Sequence, residues 1–479
     1  MKTIHKILIA NRGEIAVRII RTASKMNIRT VAIYSEIDRE ALHVQLADEA
    51  VCVGANESSA SYLNVERILK AAKDTGADAI HPGYGFLSEN GAFADAVEAA
   101  GIIFIGPSSH AMKIMGSKLA AKEAVKPLDV PMVPGTDHAV ESVREAKASA
   151  KEVGYPILIK ASAGGGGKGM RVVETEADLE EQMNRAISEA TSSFGDGSVF
   201  IEKFILRPRH IEIQLLFDTH GNGVYLFDRE CSIQRRHQKV IEEAPANDIP
   251  EEVRKNMGEA AIRAGEAVNY VGAGTVEFLV DANYDFYFLE MNTRLQVEHP
   301  VSELITGIDL VEQQIKVAQG EVLAFNQSDL KKNGHAIELR IYAEDPENDF
   351  LPSTGTLERY RMSDIPGIRL DQGYVEGQDI PIYYDPMIAK LISYGDDRQQ
   401  AIDQLRKAIE SFEIKGIHTT LPFGLAVVNN AVFNSGKYST NFIKTDYSKD
   451  ELFNPSHDPK VIAAVGKYLI EKERNIVAR

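Results

Sequence analysis

The sequence predicts a three-part chain of mixed α/β and α+β class: a doubly wound parallel sheet, an antiparallel sheet with a glycine-rich lid, and a smaller mixed β/α block. Three observations carry this expectation. Apolar runs alternate with helix-periodic segments over residues 6–106, the pattern of a parallel sheet with crossover helices. Four consecutive glycines, Gly164 to Gly167, sit between two strand-like runs. A polar stretch, Glu290 to Glu298, closes a hairpin pattern in which two acids are set to face each other.

A chain of 479 residues suits about three domains. Its 44% hydrophobic and 26% charged content is globular, and a sizeable core follows from the length. A formal net charge of −17 argues against nucleic acid or an anionic membrane as partner, because affinity for both comes from neutralising phosphates. Two local basic runs, Arg207-Pro208-Arg209-His210 and Arg235-Arg236-His237-Gln238-Lys239, remain candidates for small anionic ligands. Cys52 and Cys231 are far apart, with neither disulfide framework nor zinc spacing. The first ten residues lack a cleavage-type region, and no apolar run is long enough to span a bilayer. A soluble chain in a reducing, cytoplasmic compartment is the expectation.

The first block covers residues 1–115. Residues 6–10 read as a buried parallel strand, 13–26 as a helix, 30–34 as a strand, 62–75 as a helix, and 77–80 and 101–106 as strands. This looks like a dinucleotide-binding fold. Yet its first strand–helix turn carries Gly13 alone, so the Gly-x-Gly-x-x-Gly fingerprint and its close approach to a pyrophosphate are absent. His81 to Asn90 follows a strand end, where open sheets place ligands; a plain glycine-rich turn explains it equally well.

The second block covers 116–334, with a lid over about 132–204. A helix and the breakers Pro127, Pro131 and Pro134 lead to helix 140–153, strand 155–160 ending in Lys160, and strand 171–173. Each glycine of the loop between the strands costs about 0.5–1 kcal/mol relative to alanine in regular structure. Such a loop suits bare amides over phosphates and hinge motion. It is not a Gly-x-x-x-x-Gly-Lys-Ser/Thr loop, because Gly169 and Met170 follow Lys168. Residues 198–204, 210–218 and 223–227 are expected to continue as one antiparallel sheet, followed by a helix over 251–270.

Two strands then close the block, 274–281 and 286–292. With residues 282–285 as a four-residue hairpin loop, Asp281 faces Phe286 and Glu277 faces Glu290. Like charges directly opposite repel, and a cation between them relieves that; Mg²⁺ is commonly held by one or two carboxylates plus substrate phosphates. An unbroken strand would also carry Glu290, Asn292, Arg294, Gln296 and Glu298 on one face, unless it ends near Thr293.

The third block covers 335–447, and 448–479 is an uninformative tail. Residues 335–344, 356–361 and 387–394 read as strands and 398–412 as a helix. Arg340 sits mid-strand, which demands an anion or a carboxylate opposite it.

At this point the motifs resemble one family. Ala10-Asn11-Arg12-Gly13-Glu14-Ile15-Ala16, His81 to Glu89, the tetraglycine loop, Gln234 to Lys239 and Glu290 to His299 are similar, in kind and order, to biotin carboxylase, the ATP-grasp component of biotin-dependent carboxylases. The likeness runs from residue 4 to about 445 and implies a Rossmann-like pre-ATP-grasp domain, an ATP-grasp domain with a mobile lid, and a biotin carboxylase C-terminal domain. It implies ATP-dependent carboxylation of biotin by bicarbonate through carboxyphosphate.

By resemblance, Lys118, Lys160, His210, Gly165, Gly166 and Gly167 meet the ATP phosphates. Glu202, Lys203 and Ile205 line the adenine pocket, with Met170, Gln234, His237 and Leu279 nearby. Glu277, Glu290 and Asn292 hold two Mg²⁺ (or Mn²⁺). Lys239, Arg294, Gln296, Val297 and Glu298 bind bicarbonate, with Glu298 as base; Tyr84 and Arg340 meet biotin. A biotin carboxyl carrier protein, a carboxyltransferase and a homodimer partner are implied. The acceptor (acetyl-CoA, as in fatty acid biosynthesis, propionyl-CoA or pyruvate) is open.

Ala111-Met112-Lys113 imitates a biotinylation site but lies inside the core, and no biotinyl or transferase domain follows residue 445, so a stand-alone subunit is expected. Ser117 stands where the family more often has aspartate, with little expected effect. Another ATP-grasp carboxylate–amine ligase is the runner-up; a catalytically silent subunit is disfavoured because Lys239, Glu277, Glu290, Arg294, Glu298 and Arg340 are all retained.

Overall fold

The computed structural model describes residues 3–136, 138–140, 142–161, 170–194, 196–236, 238–453 and 467. The glycines Gly165, Gly166 and Gly167, His237, the side chain of Lys118 and most of the 448–479 tail lie outside the described residues.

The apolar runs of the first block form a parallel sheet. Strands β1 (Lys6–Ile9), β2 (Arg29–Ser35), β3 (Glu49–Gly54), β4 (Ala79–His81) and β5 (Ile103–Phe104) lie in the order β3-β2-β1-β4-β5. Strand β3 escapes the periodicity reading because it is an edge strand whose side chains are mostly half-exposed. The helix Gly13–Lys25 buries Ile15, Ala16, Ile19, Ile20 and Ala23 against this sheet, as its spacing predicts.

The lid is a sheet of its own, which corrects the expected continuation. Strands β6 (Ile157–Ala161), β7 (Met170–Val173) and β8 (Val199–Lys203) pair in the order β7-β6-β8, apart from the sheet that follows. Alternation explains the separation. Ile157, Ile159, Val199 and Ile201 turn inward onto helix residues Ala146, Ala150, Met183 and Ala186, forming a private core. Leu158, Lys160, Phe200 and Glu202 turn the other way, into the cleft.

The central sheet has eight strands. Strands β9 (Arg209–Phe217), β10 (Gly223–Arg235), β11 (Gln238–Ala244), β12 (Gly272–Val280), β13 (Phe286–Asn292), β14 (His335–Tyr342), β15 (Ile368–Gln372) and β16 (Met387–Gly395) run in the order β13-β12-β9-β10-β11-β14-β16-β15. Backbone pairing therefore runs unbroken from the second block into the third, through β11 and β14. The expected strand over 356–361 is instead two short pieces, Gly355–Thr356 and Arg359–Arg361, because each pairs with a different partner.

The closing hairpin has the predicted acid pair and a different loop. Phe286 pairs with Val280, not Asp281, so the loop is residues 281–285; Asp281 N–H donates to Asp285 O. A bulge at Leu289 then restores the count, and Glu277 faces Glu290 while Thr275 faces Asn292. The strand ends at Asn292, so the single-face parity does not extend to Arg294, Gln296 and Glu298.

One face of this sheet is core. Ile211, Ile213, Leu215, Phe217, Val276, Phe278 and Val280 pack with the helix Glu251–Glu266. That helix comes close through Gly258 and Gly265, two turns apart. A Cβ on Gly265 would stand 2.5 Å from the Phe217 ring, and one on Gly258 2.5 Å from the Tyr225 ring. The first block is tied to this body by Arg12 Nη2 to the Tyr374 hydroxyl at 3.0 Å and by Arg18 to Glu303 and Asp309, both at 2.8 Å.

Gly265→Ala is expected to destabilise the chain. Overpacking costs about 1–3 kcal/mol, against about 1 kcal/mol gained in helix propensity. A melting temperature below that of the parent checks it; an unchanged or higher one contradicts the close approach.

Candidate functional site

The opposite face of the central sheet carries the chemistry. Because side chains alternate, β9 sends His210, Glu212 and Gln214 to this face and its isoleucines and Leu215 to the core. Register then aligns a charged row across four strands: Glu290 opposite Glu277, Glu277 opposite Glu212, and Glu212 opposite Arg229. Three acids side by side in a buried sheet demand cations.

Arg229 is fully buried and supplies one. Its Nε lies 2.5 Å from Glu212 Oε1, Nη1 donates to Gln214 Oε1 at 2.6 Å and Ser302 Oγ at 3.0 Å, and Nη2 to Gln296 Oε1 at 2.6 Å and Thr275 Oγ1 at 3.1 Å. Lys239 supplies the other. Its Nζ lies 2.5 Å from Glu212 Oε2, 2.8 Å from Glu277 Oε1 and 2.7 Å from Glu298 Oε1. Burial alone would pull the Lys239 proton off, but Glu212, Glu277 and Glu298 outweigh it and hold the ammonium well above its ordinary range.

Beyond Asn292 the chain leaves the sheet and folds over the site. Gln296 Nε2 donates to Glu277 Oε1 at 2.9 Å, so Gln296 bridges Arg229 and Glu277. Arg294 is aimed by Glu89 Oε2 at 2.9 Å and by Asn292 Oδ1 at 3.1 Å. The His81–Asn90 turn thus has a structural use: Glu89 also receives the Thr293 N–H at 3.0 Å. Lys390 Nζ donates to Val297 O at 2.8 Å, fixing the backbone beside Glu298.

Glu298 is 1% exposed and held by Lys239 and by Arg340 Nη2 at 3.0 Å. Burial raises its proton affinity; Lys239, then Arg340 and Arg229, outweigh burial and keep it ionised, well below the ordinary range. Arg340 finds the carboxylates that its mid-strand position requires, Glu298 and Glu242, the latter at 2.6 Å.

The lid closes the other side. Lys160 and Lys122 both reach Glu202, at 2.5 Å each, and the cavity between lid and sheet measures about 1340 Å³. Lys160, Met170, Glu202, His210, Gln234, Lys239, Glu277, Leu279, Glu290, Asn292, Arg294, Gln296, Val297, Glu298 and Arg340 all line it. Among the described residues, three expected ones are not part of its lining. Lys203 turns back to the carbonyls of Gly154 and Tyr155 at 2.7 and 3.1 Å, and Ile205 is buried. The Tyr84 ring packs on the first block's core, with Lys390 Nζ 5.8 Å from its centroid.

Glu277, Glu290 and Asn292 offer the hard oxygen donors that Mg²⁺ prefers. Glu277 is already engaged by Lys239, His210 at 2.9 Å, Asn292 Nδ2 at 3.0 Å and Gln296. Glu277 is therefore compensated by protein cations, and a metal ion is not needed to explain its charge. The donor set fits a divalent ion that displaces one of these contacts.

Glu212, Arg229, Glu242, Lys122 and Lys390 were not singled out in the sequence. The alternation His210-Ile211-Glu212-Ile213-Gln214 is the one local signal that could have shown Glu212. Ser117 caps the helix Lys118–Val125 by accepting the Ala120 N–H, which aspartate does equally well.

A lid sheet over a polar sheet face, with lysines on both sides of a cleft, defines an ATP-grasp ligase. Residues 3–112 match the family described as "Biotin carboxylase, N-terminal domain", 117–326 "Carbamoyl-phosphate synthase L chain, ATP binding domain", and 338–445 "Biotin carboxylase C-terminal domain". The chain belongs to the biotin carboxylase family, whose reaction is the ATP-dependent carboxylation of biotin. It is 51% identical to Biotin carboxylase 1 of Bacillus subtilis, over 92% of this chain and 98% of that one. It is 52% identical to the propionyl-CoA carboxylase alpha chain of Ruegeria pomeroyi, over 92% of this chain and 68% of that one. The human propionyl-CoA carboxylase alpha chain is covered to 62%, so this chain spans about two thirds of such alpha chains. The biotin carboxylase domain dimer of Hydrogenobacter thermophilus 2-oxoglutarate carboxylase, solved with MgADP and bicarbonate, superposes with a TM-score of 0.87 at 46% identity, covering 95% of this chain and all of that one. No helix among the described residues is long and apolar enough to cross a membrane.

Arg229→Met leaves Glu212 short of its Nε partner in a buried site. It is expected to cost about 3–5 kcal/mol in urea unfolding; a loss under about 1 kcal/mol contradicts the central place given to Arg229.

Proposed function

We propose that this chain carries out the first half-reaction of a biotin-dependent carboxylase, with Lys239, Arg294, Gln296, Val297 and Glu298 receiving bicarbonate and Arg340 receiving the biotin ring. The observation that carries the reading is the unbroken contact series Lys239–Glu298–Arg340 at 2.7 and 3.0 Å on the cleft wall. Bicarbonate brings its own negative charge to Lys239 and Arg294. As it draws Lys239 toward itself, it withdraws a cation that holds the proton affinity of Glu298 down. Glu298 gains basicity when the substrate arrives and takes the bicarbonate proton as the oxygen attacks the γ-phosphorus.

Lys160 and His210 face the transferring phosphoryl group, where positive charge counts most. Mg²⁺ (or Mn²⁺), held by Glu277, Glu290 and Asn292, would add charge neutralisation there. Carboxyphosphate then yields CO₂ and phosphate, and phosphate takes the ureido proton. Arg340, which stays protonated, stabilises the resulting enolate-like oxygen. Glu202, tied to Lys160 and Lys122, stands at the adenine end. Lys118, the tetraglycine backbone and His237 belong to the same nucleotide by family resemblance.

We divide the chain at 115/116 and 334/335, in accord with the extents of the three matching families. A biotinylated carrier and a carboxyltransferase are the partners this reading calls for, and the dimer of the Hydrogenobacter domain supports a homodimer. The propionyl-CoA carboxylase relatives favour a CoA thioester acceptor over a specifically acetyl-CoA, fatty acid role. Free Cys52 and Cys231 suit the cytoplasm.

ADP release from the purified chain is expected to require bicarbonate and to rise with free biotin; release driven by an amine instead favours another ATP-grasp ligase. Glu298→Gln is expected to keep ATP binding and lower turnover at least about 10²-fold, within the usual range for a general base. Near-normal turnover would falsify the base assignment. Arg340→Gln is expected to impair biotin carboxylation far more than biotin-independent ATP cleavage, and equal loss of both sinks its role at biotin.

A further inference from the structure

Behind Arg340 lie two acids that the reaction scheme does not use. Glu242 on β11 and Glu338 on β14 are directly paired across the strands, and both are 0% exposed. None of their four carboxylate oxygens meets a hydrogen-bond donor among the described residues. Glu242 Oε1 does stand 2.6 Å from Arg340 Nη2, a charge contact out of line for a hydrogen bond. Two carboxylates in such a place do not both ionise readily, because each charge raises the other's hold on its proton.

The charged surroundings divide the two acids. Lys239 on its own strand, Cys231 on β10, Glu338, Arg340 and Tyr342 on β14, and Glu298 from the loop surround Glu242. Glu338 looks instead to Lys390 on β16, with Glu242, Arg340 and Glu298 beyond. Burial pushes Glu242 up to about 7 against the pull of Arg340. Burial, reinforced by the Glu242 charge, holds Glu338 well above the ordinary carboxylate range despite Lys390.

We propose that Glu242 is a positioning residue for the biotin half of the reaction: as a carboxylate it anchors the Arg340 guanidinium, while Glu338 stays protonated, and protonation of Glu242 from solvent releases the guanidinium. The inference rests on the reading that Arg340 serves biotin. It gives the enzyme an acid limit set one residue behind the cleft. Glu242 touches no substrate; it acts through Arg340, whose other carboxylate, Glu298, is occupied with bicarbonate.

The test is the pH profile of kcat/KM for free biotin with the full chain, from about pH 5.5 to 9. The parent is expected to lose activity on the acid side with a midpoint near 7, the value burial gives Glu242. Glu242→Gln is expected to fall about tenfold at its optimum, the usual scale for a lost charge-assisted contact, and to lack this limb. Glu338→Gln copies the protonated acid, so its limb is expected to stay within about half a pH unit of the parent's. Glu14, the other buried acid pushed up to about 7 by burial, serves as control, and Glu14→Gln is expected to keep the limb.

A limb that persists in Glu242→Gln overturns the proposal. So does a limb that moves down by more than about one unit in Glu338→Gln, because only an ionised Glu338 could have been holding it up. Folding is checked by melting at about pH 8. A carboxyl whose proton is held above its ordinary range contributes stability at low pH and loses it as the pH rises through that range. Glu338→Gln removes this cost and is expected to melt no lower than the parent; should Glu242→Gln not fold, Glu242→Asp takes its place, and a limb unchanged from the parent's overturns the proposal. A parent chain that releases no ADP with bicarbonate and biotin fails the functional reading; a working parent whose limb persists in Glu242→Gln fails this inference only.

Discussion

The ammonium of Lys239, held by Glu212, Glu277 and Glu298 in a buried site, is the contact on which the rest of the site depends. Without it three carboxylates from two strands and a loop would face one another with little water to screen them. With it, the loop after Asn292 can be pinned to the sheet, because Glu298 and Gln296 both find partners that the sheet already holds. The cation is thus structural before any substrate arrives. In the reaction proposed above, its release toward bicarbonate would couple substrate binding to the proton affinity of Glu298.

The same logic spreads outward in layers. Arg229 saturates the floor beneath Lys239. Lys390, fully buried, holds the Val297 carbonyl from below and stands 3.4 Å from Glu14 of the first block. The Asn11-to-Glu14 motif therefore belongs to the architecture of the site although it never enters the cleft: Arg12 reaches Tyr374, and Glu14 reaches Lys390. Three blocks of sequence meet at one loop.

Much of this was legible in the residues, and the gaps have physical causes. The acid pair Glu277 and Glu290 followed from counting along a hairpin, but the count succeeded through two departures that cancel, a five-residue loop and a bulge at Leu289. A bulge leaves no compositional mark in Phe286 to Asn292, so register there cannot be read locally. Arg340 announced itself as a charge in a buried strand. Glu212, Arg229 and Glu242 did not, since their meaning arises from lateral neighbours 17 to 96 positions away. The separate lid sheet was missed because strand propensity says that 199–203 is extended and nothing about which edge it pairs with. Tyr84 shows the converse: a residue inside a recognised motif stands apart from the cleft lining.

The central sheet and the lid sheet differ in how they are held. Eight strands bonded edge to edge, from β13 to β15, share one ladder of backbone hydrogen bonds, whereas the lid has three strands and a core of its own. Such an arrangement makes two cooperative units of unequal size within one chain. Amide protons of β9 to β12 are expected to exchange mainly when the large sheet opens, and those of β6 to β8 through a smaller, cheaper opening. The lid is thereby the segment that can loosen without disturbing Lys239.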